Sequence, residues 1–214
     1  MNILVISAHP DDETIGMGGT INKLSKQGHK VSFCIVTDGS GHKDGDKKRS
    51  LQRKNDCQKA GNLLGIYETI FLDYPDTKLD QISQIEINSA LETVIKKIKA
   101  DVVYIPPDND LHTDHSKMHD CALVACRPLT NKIKEIYAYE ILGYVKNQFQ
   151  PNVYVDIEKN LSKKIAAFKM FKTEQQDFPS HRSIKSIENL SVRRGIESGL
   201  KCAEAFKLIR QIKF

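Results

Sequence analysis

Apolar positions gather in short aliphatic and β-branched runs at residues 2–8 and 31–37. Between them, residues 15–27 are amphipathic with helical spacing, so the first 37 residues read as strand, helix, strand. The pattern recurs with a helix at about 48–64, a strand near 69–72, a helix at about 81–99 and a strand at 101–105. Strands alternating with helices predict an α/β fold: a Rossmann-like, doubly wound, mostly parallel sheet with helices on both faces. Pro106-Pro107-Asp108-Asn109-Asp110 breaks the pattern and leads into a helix from about 114 to 126. Further strands are expected at 135–141 and 153–156. Helices are expected at about 158–175 and 187–210, around a polar, mobile loop at 176–186.

The 214 residues suit one domain spanning 1–214, with no internal repeat or low-complexity linker to divide it. Hydrophobic residues at 40% and charged residues at 28% exclude a disordered or fibrous chain. Residues 2–8 lack a basic leader and are too short for a signal peptide or a membrane span, which predicts a cytoplasmic protein. Five cysteines without a Cys-x-x-Cys pair agree with a reducing compartment and packing roles. The net charge of +5 is scattered rather than striped with aromatics, so no nucleic-acid partner is expected, and Lys47-Lys48-Arg49 reads as a solvated helix start. A homo-oligomer is compatible with all of this.

Chemistry concentrates at two strand ends. Ala8-His9-Pro10-Asp11-Asp12-Glu13 crowds a histidine and three carboxylates at the carboxyl edge of the first strand, where open α/β sheets bind ligands. His9 and Asp12 can converge on one cation if Pro10 turns the loop, with Asp11 pointing elsewhere; the plainer reading makes the acids helix N-caps. His112-Thr113-Asp114-His115 follows the strand at 101–105, and in doubly wound sheets these two strand ends face one crevice. One histidine from this cluster would complete a set of two histidines and a carboxylate, leaving an open metal position for water. His119, one turn after His115, is a rival ligand that reads better as a surface residue. His29, His42 and His181 lack carboxylate neighbours, although His181 can still reach a substrate. Gly16-Met17-Gly18-Gly19 lacks the dinucleotide-loop spacing and reads as close backbone packing. No Gly-x-Ser-x-Gly elbow or Walker loop is present.

The segment from Ala8 to Glu13, continued by Thr14-Ile15-Gly16 and Gly18-Gly19-Thr20-Ile21, together with His112-x-Asp114-His115, resembles the PIG-L/LmbE-like family of de-N-acetylases. Arg53-x-x-Asp56 with Ala60 and Leu64-Gly65, Tyr139-Glu140, and Arg194-Gly195 through Gly199 to Ala203-Glu204-Ala205-Phe206 extend the likeness over nearly the whole chain. Asp56 replaces the usual Glu, Cys202 stands where an aromatic is frequent, and the last segment matches a terminal helix. The resemblance implies a zinc ion, or another divalent metal, on His9, Asp12 and His115. It makes Asp11 the general base on zinc-bound water and Arg53 a substrate-binding residue. His112 would then serve the oxyanion or the leaving amine, and Asp114, with Asp76 as a weaker second case, would orient a histidine. The implied substrate is a small N-acetylated amino sugar, of the N-acetylglucosamine type. The competing readings are a zinc amidase for a non-sugar N-acyl substrate, a nucleotide-binding module without a phosphate loop, and an interaction protein that has lost catalysis.

Overall fold

The computed structural model describes residues 1–41, 46–129 and 131–213. His42 lies outside them. The described residues form seven strands: β1 (Asn2–Ser7), β2 (Lys30–Thr37), β3 (Glu68–Tyr74), β4 (Val102–Ile105), β5 (Glu135–Tyr139), β6 (Val153–Asp156) and β7 (Ala203–Gln211). They make one sheet in the order β3-β2-β1-β4-β5-β7-β6. The first five strands are parallel, and β7 runs antiparallel to β5 and β6.

Among the described residues six α-helices cover the sheet: α1 (Asp12–Lys26), α2 (Lys47–Leu64), α3 (Gln84–Ile98), α4 (Thr113–Ala125), α5 (Leu161–Phe168) and α6 (Ile184–Ser198). Successive residues of a strand point to opposite faces, so β1 splits its apolar run between two cores. Leu4 and Ile6 pack with Leu91 and Ile95 of α3 and Met118 and Ala122 of α4. Ile3 and Val5 pack with Ile21 of α1, Leu64 of α2 and Phe168 of α5. Burial on both faces is why the parallel strands read as continuous apolar runs rather than alternating ones.

Four expectations are corrected. The helix expected at 187–210 ends at Ser198, with Gly199 in the left-handed conformation (φ 72°), and the chain then turns into β7. The helix expected at 158–175 runs only from Leu161 to Phe168. His119 is buried rather than exposed, and its Nδ1 lies 2.8 Å from the Pro106 carbonyl. The loop expected at 176–186 ends at Ser183, where α6 is capped, and is hydrogen-bonded within itself, for example from the Gln176 N–H to the Arg182 carbonyl at 3.2 Å.

Lys47-Lys48-Arg49 does open a helix, capped by the Asp46 side chain, which accepts from the Arg49 N–H. The glycine cluster does mark close packing. A Cβ on Gly16 would stand 2.5 Å from the Tyr139 ring, and one on Gly19 would stand 2.9 Å from Ile157. Beyond them Glu204 accepts from the Gly19 and Thr20 N–H groups and from Lys164, 2.6 Å away, so this buried carboxylate is fully partnered. No helix among the described residues is long and apolar enough to cross a membrane.

Candidate active site

The sheet reverses its winding between β1 and β4, which pair directly. The loops leaving their carboxyl ends therefore open into the same crevice. The β1 loop delivers His9, Pro10 and Asp11 into α1, and the β4 loop delivers Asp110 and His112 into α4.

Three ligand-type atoms meet at the centre. His9 Nδ1 lies 3.1 Å from His115 Nε2, and Asp12 Oδ2 lies 3.3 Å from each of these nitrogens. Four-coordinate zinc holds nitrogen and oxygen ligands at about 2.0–2.2 Å, which in a tetrahedron separates the ligand atoms by roughly 3.3–3.6 Å. The triangle fits a cation of that size with little adjustment. Asp12 Oδ1 is buried without a hydrogen-bond partner, the kind of orphaned oxygen a cation would satisfy. His9 with His112 and His115, and His9 with Asp76 and Asp114, also bring ligand atoms close enough for one ion. The His9–Asp12–His115 set is favoured because the far nitrogens of both its histidines are already engaged.

Those engagements set the ring orientations. His115 Nδ1 lies 2.7 Å from Asp110 Oδ2. His9 Nε2 lies 3.1 Å from Asp114 Oδ2 and equally far from Asp76 Oδ1. Asp114 also accepts from the Thr77 and Leu79 N–H groups, which ties α4 to the segment after β3. Burial opposes protonation of His9, but Asp12, Asp114 and Asp76 outweigh it and hold its pKa well above the ordinary value. His115 is pushed up to about 9, burial again being overcome, here by Asp12 and Asp110. Burial raises the Asp12 pKa, yet the two histidines overcome this and hold it well below the usual carboxylate range. The protons that these carboxylates hold on the two rings are what a cation would replace.

Asp11 occupies the N-cap position of α1 but makes no side-chain cap, and its backbone stands at φ 142°. Its carboxylate, fully buried, is held instead by two arginines. Arg53 Nη2 donates to Oδ1 at 3.0 Å and Arg182 Nη1 donates to Oδ2 at 2.6 Å. Burial raises the Asp11 pKa, with Arg182 and then Arg53 pulling against it. Arg53 is buried and also donates to the Pro10 and Gly39 carbonyls, so its guanidinium is turned toward the Asp11 loop. Glu13 accepts from the Asp11 N–H, and burial, then Asp11, pushes its pKa up to about 8.

His112 caps α4, its Nδ1 accepting from the Asp114 N–H at 3.2 Å. That bond leaves the ring proton on Nε2. Burial, then the charges on His9 and His115, lowers the His112 pKa, so a neutral ring with an Nε2–H donor is the form favoured. His112 and His115 line a cavity of about 380 Å³ together with Asp110, Ile141, Tyr144 and Arg182.

The crevice thus gathers His9, Asp11, Asp12, His112, Asp114 and His115 as the motifs predicted, and Asp76 joins them. Arg53 stands behind Asp11. Sequence reasoning missed Asp110 as the partner of His115, Arg182, and Glu174, which lies 2.9 Å from Arg182 and 3.0 Å from Arg49. His181, flagged only for its loop, lines the cavity.

Fold and site together define an α/β protein with a buried histidine–carboxylate centre suited to a divalent cation at the switch point of its sheet. Residues 4–126 match the family described as PIG-L, GlcNAc-PI de-N-acetylase. A relative named uncharacterized deacetylase YaiS, from Escherichia coli, is 32% identical over 184 residues, covering 80% of this chain and 90% of that protein. The diacetylchitobiose deacetylase of Thermococcus kodakarensis is 30% identical over 193 residues, covering 83% and 70%. Among solved structures, the N,N'-diacetylchitobiose deacetylase from Pyrococcus horikoshii shares the fold with a TM-score of 0.81 at 24% identity, over 97% of this chain and 83% of that one. The chain belongs to the PIG-L family, and with it to the hydrolytic N-deacetylases.

Proposed function

We propose that the protein is a zinc-dependent hydrolase, working in the cytoplasm, that removes the N-acetyl group from an N-acetylglucosamine-type sugar or sugar conjugate. The observation that carries this reading is the triangle of His9 Nδ1, His115 Nε2 and Asp12 Oδ2, with edges of 3.1–3.3 Å, beside a cavity of sugar-sized volume. Two imidazoles and one carboxylate are a donor set that suits zinc and leaves a position open for a reactant.

His9, Asp12 and His115 would hold a divalent ion there, which would supply Lewis acidity to the acetamide carbonyl and lower the pKa of water toward 7. Asp11 takes the proton from the attacking water, its carboxylate held in place by Arg53 and Arg182. The raised pKa of Asp11 suits a base that must hold that proton through the step. His112, donating from Nε2, stabilises the carbonyl oxygen as charge develops, and the proton that Asp11 has taken passes to the departing amine. Asp114 and Asp76 fix the His9 ring and Asp110 fixes His115. Arg53 acts as a positioning residue for Asp11 rather than as a contact to substrate. Acetate release by the zinc-loaded protein, measured against N-acetylglucosamine, its conjugates and non-sugar N-acyl compounds, tests the reading. Turnover of only the non-sugar amides would overturn it.

A further inference from the structure

Glu174 sits between α5 and α6 in the polar stretch Thr173-Glu174-Gln175-Gln176, yet only 6% of it is exposed. An acid is buried to this degree only when it is paired. Its partners come from α2 and from the loop before α6. Thr173 Oγ1 and Arg49 Nη2 each donate to Oε1 at 3.0 Å, and Arg182 Nη1 donates to Oε2 at 2.9 Å. Arg53 Nε stands 3.6 Å from Oε1, at ion-pair distance. Glu174 belongs neither to the cation centre nor to the wall of the cavity beside it.

The Arg182 nitrogen that reaches Glu174 is the one that reaches Asp11. Nη1 lies 2.6 Å from Asp11 Oδ2 and 2.9 Å from Glu174 Oε2, so one two-proton donor bridges two buried carboxylates. Among the described residues these two acids are the hydrogen-bond partners of the Arg182 guanidinium. Arg53, by contrast, is fixed without Glu174, because it donates to the Pro10 and Gly39 carbonyls as well as to Asp11. Of the two arginines on Asp11, Arg182 is therefore the one whose place depends on a second carboxylate.

Arg182 also has room to leave. Its side chain is 23% exposed and lines the cavity, whereas Asp11 is fully buried. A long side chain with a single anchor regains rotamer freedom by swinging out. Its departure would release Asp11 Oδ2. The terminal torsion of an aspartate is broad and sets no orientation of its own. Arg53 on Oδ1 and Arg182 on Oδ2 together fix the carboxylate plane, and one donor alone leaves it free to turn.

We infer that Glu174 is a positioning residue for the reaction: it holds Arg182 on Asp11 and so fixes the orientation of the base. This rests on the deacetylase reading above. The test is a double-mutant cycle on acetate release from N-acetylglucosamine and N,N'-diacetylchitobiose by the metal-loaded full chain. Glu174→Gln should lower kcat by on the order of tenfold to a hundredfold, the scale on which a misplacement of about 1 Å acts, and leave KM within about twofold. Its zinc content should equal the parent's, because none of the proposed ligands touches Glu174. Arg182→Gln should also lose kcat, and the double variant should lose no more than Arg182→Gln alone. If the unbalanced arginines unfold Glu174→Gln, Glu174→Asp keeps the charge but draws it back from Arg182 by one methylene, and should lose kcat by a smaller factor. In crystals of whichever Glu174 variant folds, Arg182 Nη1 should lie beyond hydrogen-bond reach of Asp11. Parent kcat in that variant, a loss confined to KM, or losses that multiply in the double variant overturn the positioning role alone. Crystals that keep the Arg182–Asp11 contact overturn it independently of turnover. No acetate from either sugar with the parent protein overturns the deacetylase reading, and the crystal contact then decides whether Glu174 holds Arg182 in place.

Discussion

Replacing Asp110 with Ala should weaken zinc binding although Asp110 is not among the proposed ligands. Its Oδ2 lies 2.7 Å from His115 Nδ1, and its Oδ1 accepts from the His112 N–H at 2.8 Å. The first contact holds the His115 ring with Nε2 turned to His9 and Asp12. Without it the ring can rotate, and its basicity falls. Partners of this kind contribute about 10–100-fold in metal affinity. That corresponds to about 1.4–2.7 kcal/mol, the range of a single charge-assisted hydrogen bond, about 1.5–3 kcal/mol.

Asp110→Asn should fall between, because its amide oxygen can still accept from the imidazole N–H but carries no charge. The assay is competition for zinc against a chromogenic chelator, with circular dichroism to verify that α4 persists once the His112 N–H loses its acceptor. An Asp110→Ala protein that holds zinc within about twofold of the parent would refute the reasoning, because the ion would then not depend on His115 Nε2.

Asp11→Asn should keep zinc and lose most turnover, since an amide cannot take the proton, whereas Asp12→Asn should lose metal and activity together; metal analysis beside steady-state kinetics separates them. Arg53→Ala should lower kcat by a similar factor for neutral and anionic substrates, because the guanidinium holds Asp11. A KM effect confined to anionic conjugates would instead make Arg53 a substrate contact. Removing the metal should lower Tm: an ion present at 1,000 times its Kd adds about 4.1 kcal/mol to folding stability, or roughly 8–16 °C for a chain of this size. Calorimetry with and without chelator measures it.

The parallel half of the sheet was legible because strands buried on both faces must be apolar throughout, and the helices between them must keep an amphipathic stripe. β7 was not. Its residues, Ala-Glu-Ala-Phe-Lys-Leu-Ile-Arg-Gln, are mostly strong helix formers. What makes them a strand is the slot between β5 and β6, which supplies backbone partners on both sides and outweighs propensity. Gly199 was the available signal, since glycine one residue past a helix marks its end. His119 was misjudged for a related reason: its burial depends on the Pro106 carbonyl thirteen residues upstream, a contact no helical spacing encodes.

The site divides along the same line. His9, Asp12, His112, Asp114 and His115 could be read because two short loops at a switch point carry them all, so spacing within each motif stands in for distance in space. Arg182 reaches Asp11 from 171 positions away, and only the folded loop at 176–186 brings it there. Asp11 itself carried an ambiguous signal, since an acid at a helix start can be a cap or a base. The backbone rules out the cap. A capping residue takes β-region angles and turns its oxygen back to the helix N–H groups. Asp11 instead stands at φ 142° with both oxygens on arginines. Such a conformation costs on the order of 1–3 kcal/mol for a residue with a side chain and persists only where its surroundings over-determine it. Arg53, Arg182 and the Glu13 carboxyl, which accepts from the Asp11 N–H, supply that restraint. The strain keeps the Asp11 carboxylate off the helix end, where the proposed mechanism needs it, while Asp12 is engaged with His9 and His115.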